Sequence, residues 1–291
     1  MNTPPLQAHQ TQLPGKGLRG VKNIIAIASG KGGVGKSTVT VNLAVALSKT
    51  GARVGILDAD IYGPSIPQML GQNTPVEINT DSRYIPVQAH GIQAMSMGYL
   101  TADREAPLMW RGPMLAKSLI QMLDITAWDN LDYLLIDLPP GTGDIQLSLV
   151  QKIPLTAGII VTTPQTVATA DAEKALLMFE QTNIHVLGLV ENMAEHICSN
   201  CGHHSALFGT GGADTLSKKH NATLLGQLPL HAQIRENSDS GQPTALQANT
   251  ELTHAFQALA LNVDTAIRKR PLNYADKFPS LHHLFYANFV L

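Results

Sequence analysis

The chain has 291 residues, 44% hydrophobic and 14% charged, with 22 acidic and 20 basic side chains for a net charge of −2. That length supports one large α/β domain, and the charge balance excludes a strongly basic nucleic-acid footprint. No apolar run approaches the ~20 residues of a membrane span, and the first twenty residues hold no signal-peptide core.

Residues 1–20 are polar and rich in Gln, Pro and Gly, and read as a mobile leader. Residues 23–29, Asn-Ile-Ile-Ala-Ile-Ala-Ser, form an apolar run suited to a buried parallel strand. Then come Gly30, Lys31, Gly32, Gly33, Val34, Gly35, Lys36, Ser37 and Thr38. They fit G-x-x-x-x-G-K-[ST], the phosphate loop. Its glycines let backbone N–H groups approach an anion, and a helix over 38–49 starts at the same point, with Gly51 as its C′ residue. Lys36 is placed against the β- and γ-phosphates of ATP, and the Ser37 hydroxyl against Mg²⁺. Lys31 is a second lysine, ordinarily no more than a solvated loop charge.

A second strand, 53–57, leads into Asp58-Ala59-Asp60. Residues 61–65 make a turn, and short runs near 85–88 and 92–97 suggest a peripheral hairpin. Pro113 suits the first turn of a helix whose Leu115, Leu119, Met122 and Leu123 are core residues. The strand 133–136 ends at Asp137, the acidic group that completes the Mg²⁺ shell in phosphate-loop NTPases. Pro139 to Gly143 cannot continue a strand and suit a segment that senses a γ-phosphate. Further strands at 158–163, 186–190 and 224–228 alternate with helices at 169–181, 213–220, 232–238 and 251–267. The pattern is that of a three-layer α/β sandwich, a mostly parallel sheet covered by helices on both faces.

In such a sheet ligands bind beyond the carboxyl ends of the strands. Gly30–Thr38, Asp58, Asp60, Asp137 and Asn192 should therefore converge on one edge. Asp58 and Asp60 point to opposite sides, one tying down the loop and the other, Asp60, orienting the attacking water. Cys198-Ser199-Asn200-Cys201 follows the 186–190 strand. The absence of a signal peptide points to the cytosol, where a cysteine pair serves as ligands or a redox group rather than a structural disulfide. Three readings stand: a thioredoxin-like dithiol, half of a zinc ribbon with His203 or His204, or half of an iron–sulfur site. A four-iron cluster commonly takes four thiolates, so two chains would be needed.

Together these segments, with Trp110-Arg111-Gly112-Pro113 and Glu191-Asn192-Met193, resemble the Mrp/ApbC group of iron–sulfur cluster carrier ATPases. That group lies in the deviant-Walker class of phosphate-loop NTPases that includes the MinD and ParA ATPases. The resemblance covers about residues 21–265, leaving 268–291 as a tail that matches nothing in the group. It implies a slow ATPase acting as a homodimer. Lys31 would reach the partner's phosphates, Lys36 would serve its own nucleotide, and Asn192 would read adenine. Cys198 and Cys201 would bridge a [4Fe–4S] cluster, with Zn²⁺ as a substitute. The cluster would come from an upstream scaffold and pass to apoproteins, with no nucleic acid or membrane involved. Many bacterial members carry a small N-terminal domain that residues 1–20 are too short to form. The alternatives are a positioning ATPase of the MinD/ParA kind and a zinc-binding NTPase without cluster transfer.

Overall fold

The structure, a computed structural model, describes residues 4–61, 63–100 and 112–273. Tyr62, the Trp110-Arg111 pair and the tail aromatics Phe278, Phe285, Tyr286 and Phe289 lie outside the described residues.

The strands are β1 (Val21–Ala28), β2 (Val54–Asp58), β3 (Val87–Ala89), β4 (Ile92–Ser96), β5 (Leu131–Asp137), β6 (Ala157–Thr162), β7 (Val186–Glu191), β8 (His196–Ile197), β9 (His204–Ser205) and β10 (Leu224–Gln227). The helices are α1 (Lys36–Lys49), α2 (Ile66–Met69), α3 (Gly112–Ile125), α4 (Asp144–Lys152), α5 (Thr166–Gln181), α6 (Gly212–His220), α7 (Ala232–Asp239) and α8 (Glu251–Arg268). Among the described residues, one sheet runs β10-β7-β6-β1-β5-β2-β4-β3, parallel except where β3 meets β4.

The apolar runs become strands because both faces of the sheet are covered. On β1, Ile25 and Ile27 face one core with α1 and α8, while Ile24, Ala26 and Ala28 face a second with α3, α4 and α5. Helix α1 is buried nearly all round, as its composition requires. Gly51 sits just past its end at φ 93, the left-handed geometry of a C′ residue.

Three sequence expectations change. The hairpin β3–β4 is not peripheral: β4 pairs in parallel with β2, from Gly55–Gln93 to Asp58–Ser96, and extends the main sheet. Helix α4 had no counterpart, because Ile145, Leu147 and Leu149 alternate like a strand; the surface it buries, Leu149 and Val150, is small. The segment expected to be a mobile leader is packed. Leu6 and His9 are buried, and residues 8–10 pair with 271–273 through Gln10 N–H to the Pro271 carbonyl and Asn273 N–H to the Ala8 carbonyl. The Asn23 Oδ1 atom accepts from His9 N–H and contacts His9 Nδ1 at 2.9 Å. Its Nδ2 donates to the carbonyls of Gln7 and Asp132. Composition could not show this, because the anchor is a single buried amide on β1. No helix among the described residues is long and apolar enough to cross a membrane.

Two outcomes are expected. Asn23→Ala strands several buried polar groups and should cost about 1–3 kcal/mol in urea unfolding while leaving nucleotide affinity unchanged. Burial holds His9 and His185 below the ordinary 6.5. The unfolded chain therefore takes up protons that the folded chain refuses, and stability should fall as pH drops below about 6.5. The urea midpoint measured from pH 7.5 to 5.5 checks it.

Candidate functional site

The phosphate loop follows the central strand β1 and runs into α1. Gly35 caps the helix at φ 79, and Gly33 has the same φ. These values need glycine. A Cβ on Gly30 would stand 2.0 Å from the Asp171 backbone on α5, so that glycine is fixed by packing. Ser29, residues 31–38, Asp60, Ser65, Met69 and Pro140 line a recess of about 190 Å³. Cavities for whole ligands run from about 300 Å³, so this recess is smaller than a whole-ligand site.

Asp137 is the centre of the site. It is fully buried at the end of β5, beside Ile27 of β1 and Asp58 of β2. Ser37 Oγ donates to its Oδ2 at 2.6 Å and Thr40 Oγ1 to its Oδ1 at 2.8 Å. Lys36 Nζ lies 2.8 Å from the same Oδ1. That ion pair lacks hydrogen-bond alignment: among the described residues the buried Nζ has no hydrogen-bond acceptor. An ammonium in this state is ready for another anion, and a phosphate chain in the recess fits it. The Ser37–Asp137 pair likewise offers two oxygen donors of the kind Mg²⁺ takes.

Asp58 does what one of the two aspartates had to do. Its Oδ1 accepts the Asp60 backbone N–H at 3.1 Å and its Oδ2 accepts the Ser96 hydroxyl at 3.0 Å. Burial, and then the neighbouring Asp137, push its pKa up to about 8 despite Lys36. Asp60 lines the recess and so does Lys31, half-buried, its backbone carbonyl accepting from Ser29 Oγ. The Pro139–Asp144 segment is held by Gly141 N–H to the Ser29 carbonyl and by Gln146 Nε2 to the Pro139 carbonyl. Asn192 ends β7 against the loop itself, its Nδ2 donating 2.8 Å to the Val34 carbonyl.

Cys198 and Cys201 lie on the same edge, at the tip of the β8–β9 hairpin, closed by Cys198 N–H to the His203 carbonyl and Gly202 N–H to the Cys198 carbonyl. Both are free thiols, Cys201 exposed. The N–H groups of Asn200 and then Cys201 hold the Cys198 thiol below its ordinary value, with the Cys201 thiol adding to them. His204 turns to Glu195, at 3.1 Å, and not to the cysteines. Among the described residues no three His, Cys, Asp or Glu side chains converge as a metal site. Among the described residues the pair has no third ligand.

Thr40, Ser96 and Gln146 were not anticipated. Thr40 had a signal, lying four residues after Lys36 and so on the same helix face. Ser96 had none, since β4 was not placed beside β2.

A family model described as the NUBPL iron-transfer P-loop NTPase, of ParA type, matches residues 20–264. The chain belongs to that family. Its curated relatives include the iron–sulfur cluster carrier proteins of Haemophilus influenzae, 56% identical over 86% of this chain and 68% of that one, and of Pseudomonas fragi, 54% identical over 87% and 88%. The Escherichia coli carrier is 55% identical, and this chain spans 66% of its length. Among solved structures, the nucleotide-binding protein of Archaeoglobus fulgidus in complex with ADP matches at TM-score 0.70 and 40% identity, over 81% of this chain and 93% of that one. The cell division ATPase MinD of Pyrococcus furiosus matches at 0.65 and 25%, over 84% and 98%. This member of the iron–sulfur carrier family therefore has the MinD-like phosphate-loop fold. MinD lies within the same fold, so the fold alone does not separate carriage from positioning.

Lys36→Ala removes both a phosphate partner and the counter-ion of a buried carboxylate. Nucleotide binding should be lost, and urea unfolding should show about 3–5 kcal/mol less stability. Retained binding of a fluorescent ATP analogue would contradict the assignment.

Proposed function

We propose that this chain binds and slowly hydrolyses ATP, and that as a homodimer it carries a [4Fe–4S] cluster to apoproteins. One observation carries the reading: a cysteine pair with no third ligand among the described residues stands on the same sheet edge as the phosphate loop. Two thiolates half-satisfy a four-iron cluster, and a second copy supplies the other two. The cluster is cargo, received from a donor scaffold and released to a recipient.

Lys36 and the loop N–H groups hold the phosphates of the chain's own nucleotide. Lys31, at the mouth of the recess, reaches the partner's nucleotide across the interface. Ser37 and Asp137 are the residues that would hold Mg²⁺, which would supply positive charge against the phosphates. Asp60 orients the water whose oxygen attacks the γ-phosphorus as ADP leaves. Asn192 borders the nucleotide, its amide N–H already committed to the loop and its carbonyl oxygen left for adenine.

Anaerobic reconstitution of the full chain should load about four iron per dimer, with sulfide to match. Cys198→Ala should abolish loading while ATP binding persists. Normal loading in that variant sinks the proposal. Zinc retention without iron uptake would favour a zinc-binding NTPase instead.

A further inference from the structure

Asn192 joins two things that the reading above leaves separate. The Val34–Gly35 peptide is trans, as no cis bond occurs among the described residues. In a trans peptide the C=O and N–H point to opposite sides. The Val34 carbonyl accepts from Asn192 Nδ2 at 2.8 Å. The Gly35 N–H on the other side of that plane is a loop donor, and Gly35 lines the phosphate recess. A phosphate on the N–H and an amide on the C=O would therefore grip one peptide unit from both sides, and such hydrogen bonds polarise one another.

The contact is close as well as polar. Asn192 is 7% exposed, and a Cβ on Gly35 would stand 2.3 Å from its Nδ2 and 3.6 Å from Met193 Cε. Both side chains rest on the bare glycine. Met193 itself turns with φ 56, and from there the backbone is tied step by step to the chain after β10. Asn192 N–H donates to the Thr162 carbonyl, Ala194 N–H to Leu228, Leu230 N–H to Glu195, and Ile197 N–H to Leu230. The next residue is Cys198. Five residues, 193–197, separate the loop contact from the first thiol, and hydrogen bonds hold that span at both ends.

We infer that Asn192 is a positioning residue that ties the phosphate-gripping Val34–Gly35 peptide to the cysteine hairpin, so that phosphate in the loop resets the geometry of Cys198 and Cys201. This rests on the reading of the loop as a nucleotide site and of the cysteines as the cargo site, and it names the route between them. The route passes through Asn192 and along residues 193–197, beyond the end of β7 and away from Asp60 and the Pro139–Asp144 segment. It needs no movement of the sheet, only a change in one peptide plane at the end of a strand.

The test uses full-length, cluster-free, reduced protein and reads the alkylation rates of Cys198 and Cys201 with iodoacetamide by mass spectrometry. Rates are compared without nucleotide and with saturating Mg²⁺ and a non-hydrolysable ATP analogue. Wild type should show a change of about fivefold or more, within the usual range of site-to-site coupling. Asn192→Ala, and the near-isosteric Asn192→Asp that cannot donate, are each measured at an analogue concentration that saturates the variant, whatever affinity the lost adenine contact leaves, and should alkylate at rates nucleotide does not alter. A wild type indifferent to nucleotide overturns the inference. So do variants that keep the nucleotide effect, or variants that both fail to bind nucleotide, which would make Asn192 a nucleotide contact and no more. Because the readout needs no cluster, failed iron loading would count against the carrier reading and leave this one standing.

Discussion

A single buried carboxylate organises the working edge of this molecule. Asp137 arrives from β5, and three side chains of the first helical turns, from Lys36, Ser37 and Thr40, meet it. A carboxyl group with no solvent exposure is tolerated only where its oxygens are hydrogen-bonded or paired. The loop and the start of α1 are therefore locked to β5 before any ligand arrives. Among the described residues the lysine amino group finds no aligned hydrogen-bond acceptor, so the contact that holds the loop in shape also keeps its cation ready for phosphate. Asp58, adjacent in the sheet, has its pKa raised first by burial and then by Asp137, and spends its oxygens on Asp60 N–H and Ser96.

The opposite end of the sheet is built differently. There the strap of residues 6–12 is pinned by Asn23, and Tyr133 donates to Asp264, which also accepts from Arg268 of the same helix. Arg268 reaches on to the Pro4 carbonyl. These contacts join β1, β5, α8 and both ends of the described chain in one network. Nothing in it touches the recess. The division suits a carrier: one end is a fastened base, and the other carries loops whose hydrogen bonds can be exchanged with ligands.

Much of this was legible in the residues. The strand–loop–helix around Gly30–Thr38 could be read because a phosphate cradle needs glycine at fixed φ and lysine at a fixed offset, and both leave a local mark. Asp137 was legible because it closes an apolar strand. Helix α4 was not: its few apolar residues alternate, and it forms because α3 packs against it. The strap was not, because its anchors are one amide and one imidazole among polar neighbours. The place of β4 was not, since a short run looks alike at the rim of a sheet or within it.

The sequence by itself determined the chemistry on offer: a phosphate loop, an acidic strand end and one cysteine pair, each a local pattern whose spacing is its own geometry. Only the tertiary structure decided how they are connected. Asp58 and Asp137 became neighbours because β2 and β5 pair in register, Ser96 reached Asp58 because β4 joined β2, and Asn192 met Val34 across 158 residues of chain. Such pairings come from which strands lie side by side and which faces are buried together. Those are global packing outcomes, and no local run of residues records them.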